Sequence, residues 1–330
     1  MRTEREMLDL ILSTAKEDDR IRAVCLEGSR VNPNAPKDIF QDYDVVYVVK
    51  ETASFQADKG WIDRFGQRLY MQYPEDHPGY PSDREHCYGW LIQFADGNRL
   101  DLHVSTPDWV LDHDAQDSLF SVLLDKDGLF EGRKPADDSA HWVQKPHQAL
   151  FSAECNEFWW CLNNLCKGLW RGEVPYAQWC LNDLLRPQLL TILSWKAASD
   201  HDFHISVGKC GKYLGNFIEQ DLWEGYLSTY CGPDLGEMWA AGEKLCDLFH
   251  QTAQQVAQKL GCSYDLTEAQ NSRGFFDHVR TLPRNAKEVL GYGQTDRTAA
   301  VCSHDRDTGG QTGHLAGPAH RGRYAGVLHL

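Results

Sequence analysis

Asp42 and Asp44 stand two residues apart where "QDYDVVYVV" enters an apolar run. Alternation along a strand points both carboxylates to one face and Tyr43 and Val45 to the other. Like charges placed this way repel unless water screens them or a cation sits between them. Asp101 repeats the theme in "RLDLHV". It shares a face with His103, while Leu100, Leu102 and Val104 take the opposite one. If that strand lies beside the first, three carboxylates converge on one sheet face and make an oxygen-rich site for Mg²⁺. Mg²⁺ keeps positions open for substrate phosphates, so one or two ions there could activate an attacking oxygen and neutralise a transferred phosphoryl group. Asp42, Asp44 and Asp101 are therefore the expected metal ligands and catalytic acids. Gly28-Ser29 comes just before them, at the end of the preceding apolar run. A glycine there lets the backbone approach phosphate oxygens, and Ser29 and Arg30 add a hydroxyl and a cation.

These residues need strands to hold them. "IRAVCLEGS" reads as a strand ending at Gly28, and "DYDVVYVV" as the next. "YGWLIQF" and "RLDLHV" form a hairpin turning at Asp96-Gly97. Thr3 through Glu6 is a capping-box pattern, and it opens a helix over residues 3–17. Trp61, Ile62, Phe65 and Leu69 suggest a helix over 55–72, and a further short helix is expected over 115–125. From about residue 140 strand signals vanish and long helical patterns follow, with Pro187 a local problem for one of them. The predicted fold class is α+β: a mixed-sheet domain over residues 1–139, then a helical domain over 140–286. Residues 287–330 are rich in Gly, Thr and His without a period and are expected to be disordered. The spacing of His304, His314, His320 and His329 there is too irregular for a metal site.

The chain has 330 residues and a net charge of −15. That argues against general nucleic-acid binding, which needs a basic face, and suits a cationic ligand or plain solubility. No apolar run is long enough to cross a membrane, and the charged N-terminus is no signal peptide. The eleven cysteines show neither CxxC pairs nor zinc-type Cys/His spacing. They read as buried, reduced thiols in a cytoplasmic protein.

The order strand, Gly-Ser, D-x-D strand, then a third acid resembles the nucleotidyltransferase superfamily with polymerase-β-like domains. A closer resemblance rests on "EMLDLIL", "IRAVCLEGSRVN", "PKDIFQDYDVVYVV", "DLHV", "NEFWW", "KGLWRGE", "LLTILSWK" and "HISVGKCGKYL". These stretches are similar to the aminoglycoside 6-adenylyltransferases, the streptomycin-modifying enzymes, over roughly residues 1–280. The chain after about residue 286 departs from that family, so the resemblance does not extend to it.

The resemblance implies transfer of AMP from ATP to a hydroxyl of streptomycin, at its 6-position, with release of pyrophosphate and resistance to the antibiotic. It implies drug and nucleotide bound between the two domains, Mg²⁺ on Asp42 and Asp44, and Asp101 completing that site or taking the hydroxyl proton. Gly28, Ser29 and Arg30 would hold the triphosphate. Lys209, expected to open a helix after a loop, would add a phosphate contact, or is a solvated lysine. Lys212 and Arg186 are weaker candidates, and Arg186 could instead pair with Asp183. A polycationic drug calls for acids, and Glu157 and Asp183 lie in apolar-rich helices where a charge is costly unless paired or facing a cleft. Among Trp159, Trp160, Trp179 and Trp195, one or two would stack on the drug, with Trp159 and Trp179 preferred. The expected partners are small molecules, and the expected state is a monomer or homodimer. Two alternatives stand beside this reading. One is a nucleotidyltransferase for another small hydroxylated substrate, such as a lincosamide. The other is a non-catalytic nucleotide-binding or antitoxin-like module, which loss of one acid would favour; all three are present.

Overall fold

Thr3 caps the first helix, α1 (Glu4–Glu17), through the reciprocal pattern expected: its hydroxyl accepts from the Glu6 N–H, and the Glu6 carboxylate accepts from the Thr3 N–H. Met7, Ile11 and Ala15 form its buried stripe. The structure is a computed structural model that describes residues 1–289. Those residues divide into two compact units. The first is Met1–Lys145 together with Asp200–Tyr213, and the second is Pro146–Ser199 with the chain from Leu214 on.

The first unit is built on six strands: β1 (Ile21–Glu27), β2 (Tyr43–Val49), β3 (Arg68–Gln72), β4 (Cys87–Phe94), β5 (Arg99–Ser105) and β6 (Phe120–Asp125). Their order is β3-β4-β5-β2-β1-β6. β2 and β5 run parallel, and every other neighbouring pair is antiparallel. One face carries the larger core, in which Leu26, Tyr43, Val45, Tyr47, Trp90, Leu100 and Leu102 pack against Met7 and Ile11 of α1. The opposite face carries Ala23, Cys25, Val46 and Val48 under Val110, Phe120 and Phe130. Alternation with period two therefore sends one set of side chains to each layer.

Two expected helices are strands instead. Residues 55–72 hold a short helix, α2 (Ala53–Ala57), a single tight turn at Trp61–Phe65, and then β3. Trp61, Ile62 and Phe65 are buried by that turn, but Leu69 and Tyr70 are exposed on an edge strand. The helical spacing came from two unrelated elements. Residues 115–125 hold the end of a helical stretch after α3 (Pro107–Asp112) and then β6, whose pairing with β1 decides its conformation.

The second unit is helical: α4 (Gln148–Arg171), α5 (Val174–Trp179), α6 (Arg186–Ser199), α7 (Gln220–Leu227), α8 (Leu235–Leu260) and α9 (Leu266–Thr281). α4 packs on α8 by stacking Phe158 on Phe249 at 3.8 Å, and on α9 through the Ser272 hydroxyl to the Trp159 carbonyl at 2.6 Å. Pro187 is absorbed by a wide turn over Cys180–Leu185, where the Arg186 N–H reaches back five residues to the Leu181 carbonyl. Widening the helix before a proline relieves the clash and the missing N–H that would otherwise break it.

The segment 200–213 belongs to the sheet unit although it lies beyond residue 140 in sequence. The Val143 N–H donates to the Ile205 carbonyl at 2.9 Å, and Trp142 meets His204 edge-on. Among the described residues no helix is long and apolar enough to cross a membrane. Residues 290–330, which include the four tail histidines, lie outside the described residues.

Candidate active site

Strand register builds the site. Asp44 on β2 lies opposite Asp101 on parallel β5 and opposite Glu27 on antiparallel β1. Glu27, Asp44 and Asp101 line up across the sheet, and Asp42, just before β2, joins Asp44 and Asp101 to complete the acid row. Carboxylate oxygens of Asp42, Asp44 and Asp101 lie within 4.8 Å of one another. Asp101 is buried, and Asp42 and Asp44 are half-buried. Burial, followed by the neighbouring Asp42 and Asp101 charges, pushes the Asp44 carboxyl up to about 7.

Gly28 shapes the other side. It adopts a φ of +68°, and a Cβ there would sit 2.4 Å from Asp44 Oδ2. Only glycine accepts both constraints. The Gly28 N–H donates to the Leu119 carbonyl at 3.2 Å. Ser29 follows in a tight turn, half-exposed, with its carbonyl accepting from Gln41 Nε2 at 2.9 Å.

Arg30 does not project freely toward a ligand. Its Nε donates to the Asp42 carbonyl at 2.8 Å and its Nη2 to the Gln41 carbonyl at 2.6 Å. Nη1 lies 3.2 Å from Glu4, and the guanidinium stacks 3.5 Å over Tyr43. The two carbonyl contacts fix the backbone that carries Asp42, which gives Arg30 a positioning role.

Two residues that sequence reasoning missed belong to the row. Arg99 grips Asp101 with both arms, at 2.9 and 2.5 Å, and its Nε lies 3.8 Å from Asp42. It is the counter-ion of the acid cluster. Glu27 is the fourth acid. Its Oε1 is buried without a hydrogen-bond partner among the described residues. Burial, then the charges of Asp114, Asp44 and Asp117, push its carboxyl up to about 9. The available signal was alternation: Ala23, Cys25 and Glu27 share the face that Asp44 faces.

Glu27 predicts a pH dependence. Its folded value lies above the ordinary 4.5, so the folded chain holds this proton where the unfolded chain has lost it. Its contribution to stability is full below about pH 4.5 and is lost as pH rises through about 9. Glu27→Gln should flatten that decline. The variant should be more stable than the parent at pH 9 by a few kcal/mol, since each pH unit is worth about 1.4 kcal/mol. Urea melts at pH 5 and pH 9 measure it; an unchanged slope between the two contradicts it.

The remaining candidates are placed as follows. Lys209 and Lys212 are exposed and lie in the sheet unit with the acid row. Lys209 begins a three-residue turn containing Cys210 at φ +56°, so it has no helix N-terminus behind it. Cys210 itself is exposed, unlike the buried thiols expected. Arg186 is buried in the helical unit and donates to the Thr229 hydroxyl and carbonyl at 3.1 and 2.8 Å and to Asn182, beneath Tyr230. Those contacts, rather than Asp183, are its partners, and they make it a core element. Trp159 is 2% exposed, packs on Phe158 and Phe249 and donates to the Tyr264 hydroxyl at 3.1 Å. A side chain so enclosed has no face to offer a ligand. Trp195 is buried too. Trp179, Trp160, Glu157 and Asp183 are exposed. Glu157 escapes the cost of an apolar neighbourhood because the helix turns it outward while Phe158 and Trp159 face in.

The cluster offers hard oxygen donors at divalent-cation spacing, and the Gly28 cradle keeps that space clear of a Cβ. A mixed sheet with three converging acids beside a Gly-Ser turn is the arrangement expected of a nucleotidyltransferase, and the relatives make the chain one. The chain belongs to the streptomycin adenylyltransferase family, whose model matches residues 1–279. An aminoglycoside 6-adenylyltransferase of Bacillus subtilis is 38% identical over 265 residues, covering 80% of this chain and 93% of that protein. One from Campylobacter jejuni is 38% identical over 266 residues, 81% and 92% of the two chains. One from Staphylococcus aureus is 32% identical over 258 residues, 78% and 92%. Among solved structures, an aminoglycoside 6-adenyltransferase from Bacillus subtilis is 31% identical, covers 86% of this chain and 100% of its own, and has a TM-score of 0.43.

Proposed function

We propose that the protein transfers AMP from ATP to the 6-hydroxyl of streptomycin, releasing pyrophosphate and conferring resistance in the cytoplasm. The observation that carries this reading is the row Asp42, Asp44 and Asp101 beside Gly28-Ser29, in a chain of this family. The drug oxygen bonds to the α-phosphorus as the bond to the pyrophosphate oxygen breaks, and the hydroxyl proton is released. Asp42, Asp44 and Asp101 would hold Mg²⁺, which when bound supplies charge neutralisation at the triphosphate. Asp101, both of whose oxygens accept from Arg99, would complete the metal site or take the hydroxyl proton once that grip loosens. The Gly28-Ser29 turn would present backbone and hydroxyl to phosphate oxygens. Lys209 and Lys212, exposed on the same unit, would add positive charge for the triphosphate. Glu157 and Asp183 would meet the drug's cations, and Trp179 would give a stacking face.

Incubation with ATP, Mg²⁺ and a panel of aminoglycosides and lincosamides should release pyrophosphate with streptomycin. Silence across the panel overturns the proposal, and turnover with lincosamides alone favours the rival substrate class.

Arg99 leads to a separate expectation. It competes with a metal for Asp101, so Arg99→Met should bind Mg²⁺ more tightly, by about tenfold or 1.4 kcal/mol. Calorimetric titration of the nucleotide-free protein reads it. Equal or weaker Mg²⁺ binding would show that the guanidinium and the metal do not share the site.

A further inference from the structure

A second cluster lies on the same sheet face, with donors of a different kind. Glu75, Cys87 and His103 each offer one ligand atom, and those atoms lie within 4.8 Å of one another. They come from three places: the turn at Pro74–Asp76, the start of β4 and the middle of β5. Register brings them together, since Gly89 lies opposite His103 and Cys87 opposite Ser105. Glu75 is 9% exposed and Cys87 7%.

The surroundings hold each ligand in place. β3 pairs with β4 only between Leu91 and Phe94. Beyond that edge, Glu75 Oε2 accepts the Gly89 N–H at 2.8 Å, in the position a strand partner would take. The Ser105 hydroxyl donates to Cys87 Sγ at 3.5 Å. Gly89 clears room for the imidazole, because a Cβ there would lie 2.4 Å from His103 Cδ2. Ligands oriented by neighbouring donors in this way are the pattern of metal centres. The donor set separates the cluster from the acid row. Three carboxylates suit Mg²⁺, whereas thiolate, imidazole and carboxylate together suit Zn²⁺ and exclude Mg²⁺ by softness.

We propose that Glu75, Cys87 and His103 form a binding site for a zinc-class divalent cation, which clamps the 73–86 loop to β4 and β5. His103 is half-buried, the most accessible of the three ligands. The site stands or falls independently of what the acid row binds.

Cobalt(II) titration of the full chain tests it. One equivalent should produce the near-ultraviolet thiolate-to-cobalt absorption and raise the melting temperature. Cys87→Ser should abolish the absorption, while Cys210→Ser and Asp42→Asn should keep it. Ser105→Ala should weaken Zn²⁺ binding about tenfold. No absorption in the parent, its survival in Cys87→Ser, or its loss in Cys210→Ser overturns the site. If Cys87→Ser does not fold, X-ray absorption on the zinc-loaded parent decides. One sulfur with nitrogen and oxygen neighbours supports the cluster; no sulfur, or two or more, refutes it.

Discussion

Asp44→Asn loses turnover by about 10³-fold while its fold becomes more stable in chelator, not less. The first effect follows from removing a central carboxylate of the row; loss of one preorganised electrostatic group at a reacting centre costs about 10²–10³-fold. The second follows from burial and like charge. Asp44 is close to both Asp42 and Asp101, and burial with their charges pushes its carboxyl up to about 7. Its folded value exceeds the ordinary one, so its contribution to stability is full below about pH 3.8 and lost as pH rises through about 7. Asn keeps the shape without the charge. The gain should be absent near pH 4 and reach roughly 1–3 kcal/mol at pH 8. Thermal melts in EDTA at the two pH values, with pyrophosphate release in Mg²⁺, separate the effects. A variant that is both inactive and unstable at pH 8 would mean that Asp44 is structural.

Gly28→Ala should lose activity by about 10²-fold, although no reactive group is removed. The left-handed backbone at Gly28 costs an alanine about 1–2 kcal/mol. The added Cβ also meets Asp44 Oδ2 at 2.4 Å, against a strand whose backbone is held on both sides. The carboxylate must turn away, and the row loses its spacing. The two costs can be told apart by a double-mutant cycle. In an Asp44→Ala background the clash is gone and only the backbone term remains, so the stability cost of Gly28→Ala should shrink toward about 1 kcal/mol. Equal costs in both backgrounds would show that the close approach does not matter.

The acid row was legible because its signal is periodic. Asp42 and Asp44 stand at alternate positions at the mouth of one apolar strand and Asp101 lies in another; alternation aims the first two to one face, and pairing of the two strands adds the third. Glu27 obeys the same period, but a glutamate next to a glycine at a strand end is ordinary until its neighbour across the sheet is known. Arg99 is a plain hairpin residue until β5 folds it back over Asp101. Arg30 was read with its neighbours Gly28 and Ser29; the carbonyls it binds lie more than ten residues away in sequence, where no local pattern could show them. The strands β3 and β6 were missed because short edge strands carry little period of their own. Nothing in local sequence says that residues 200–213 return to the sheet unit, so Lys209 and Lys212 were read with the helices around them. Composition showed the helical half, but which of its charged and aromatic residues face outward depends on packing between α4, α8 and α9. Trp159 and Trp179 have the same chemistry and opposite burial.

The central claim is that the row Asp42, Asp44 and Asp101 transfers an adenylyl group. Two labels on ATP test it in one assay with streptomycin and Mg²⁺. Label on the α-phosphorus should move to the drug, label on the γ-phosphorus should leave in pyrophosphate, and Asp42→Asn should move neither. Label from the γ-position on the drug, or α-label transferred at full rate by Asp42→Asn, would contradict the account.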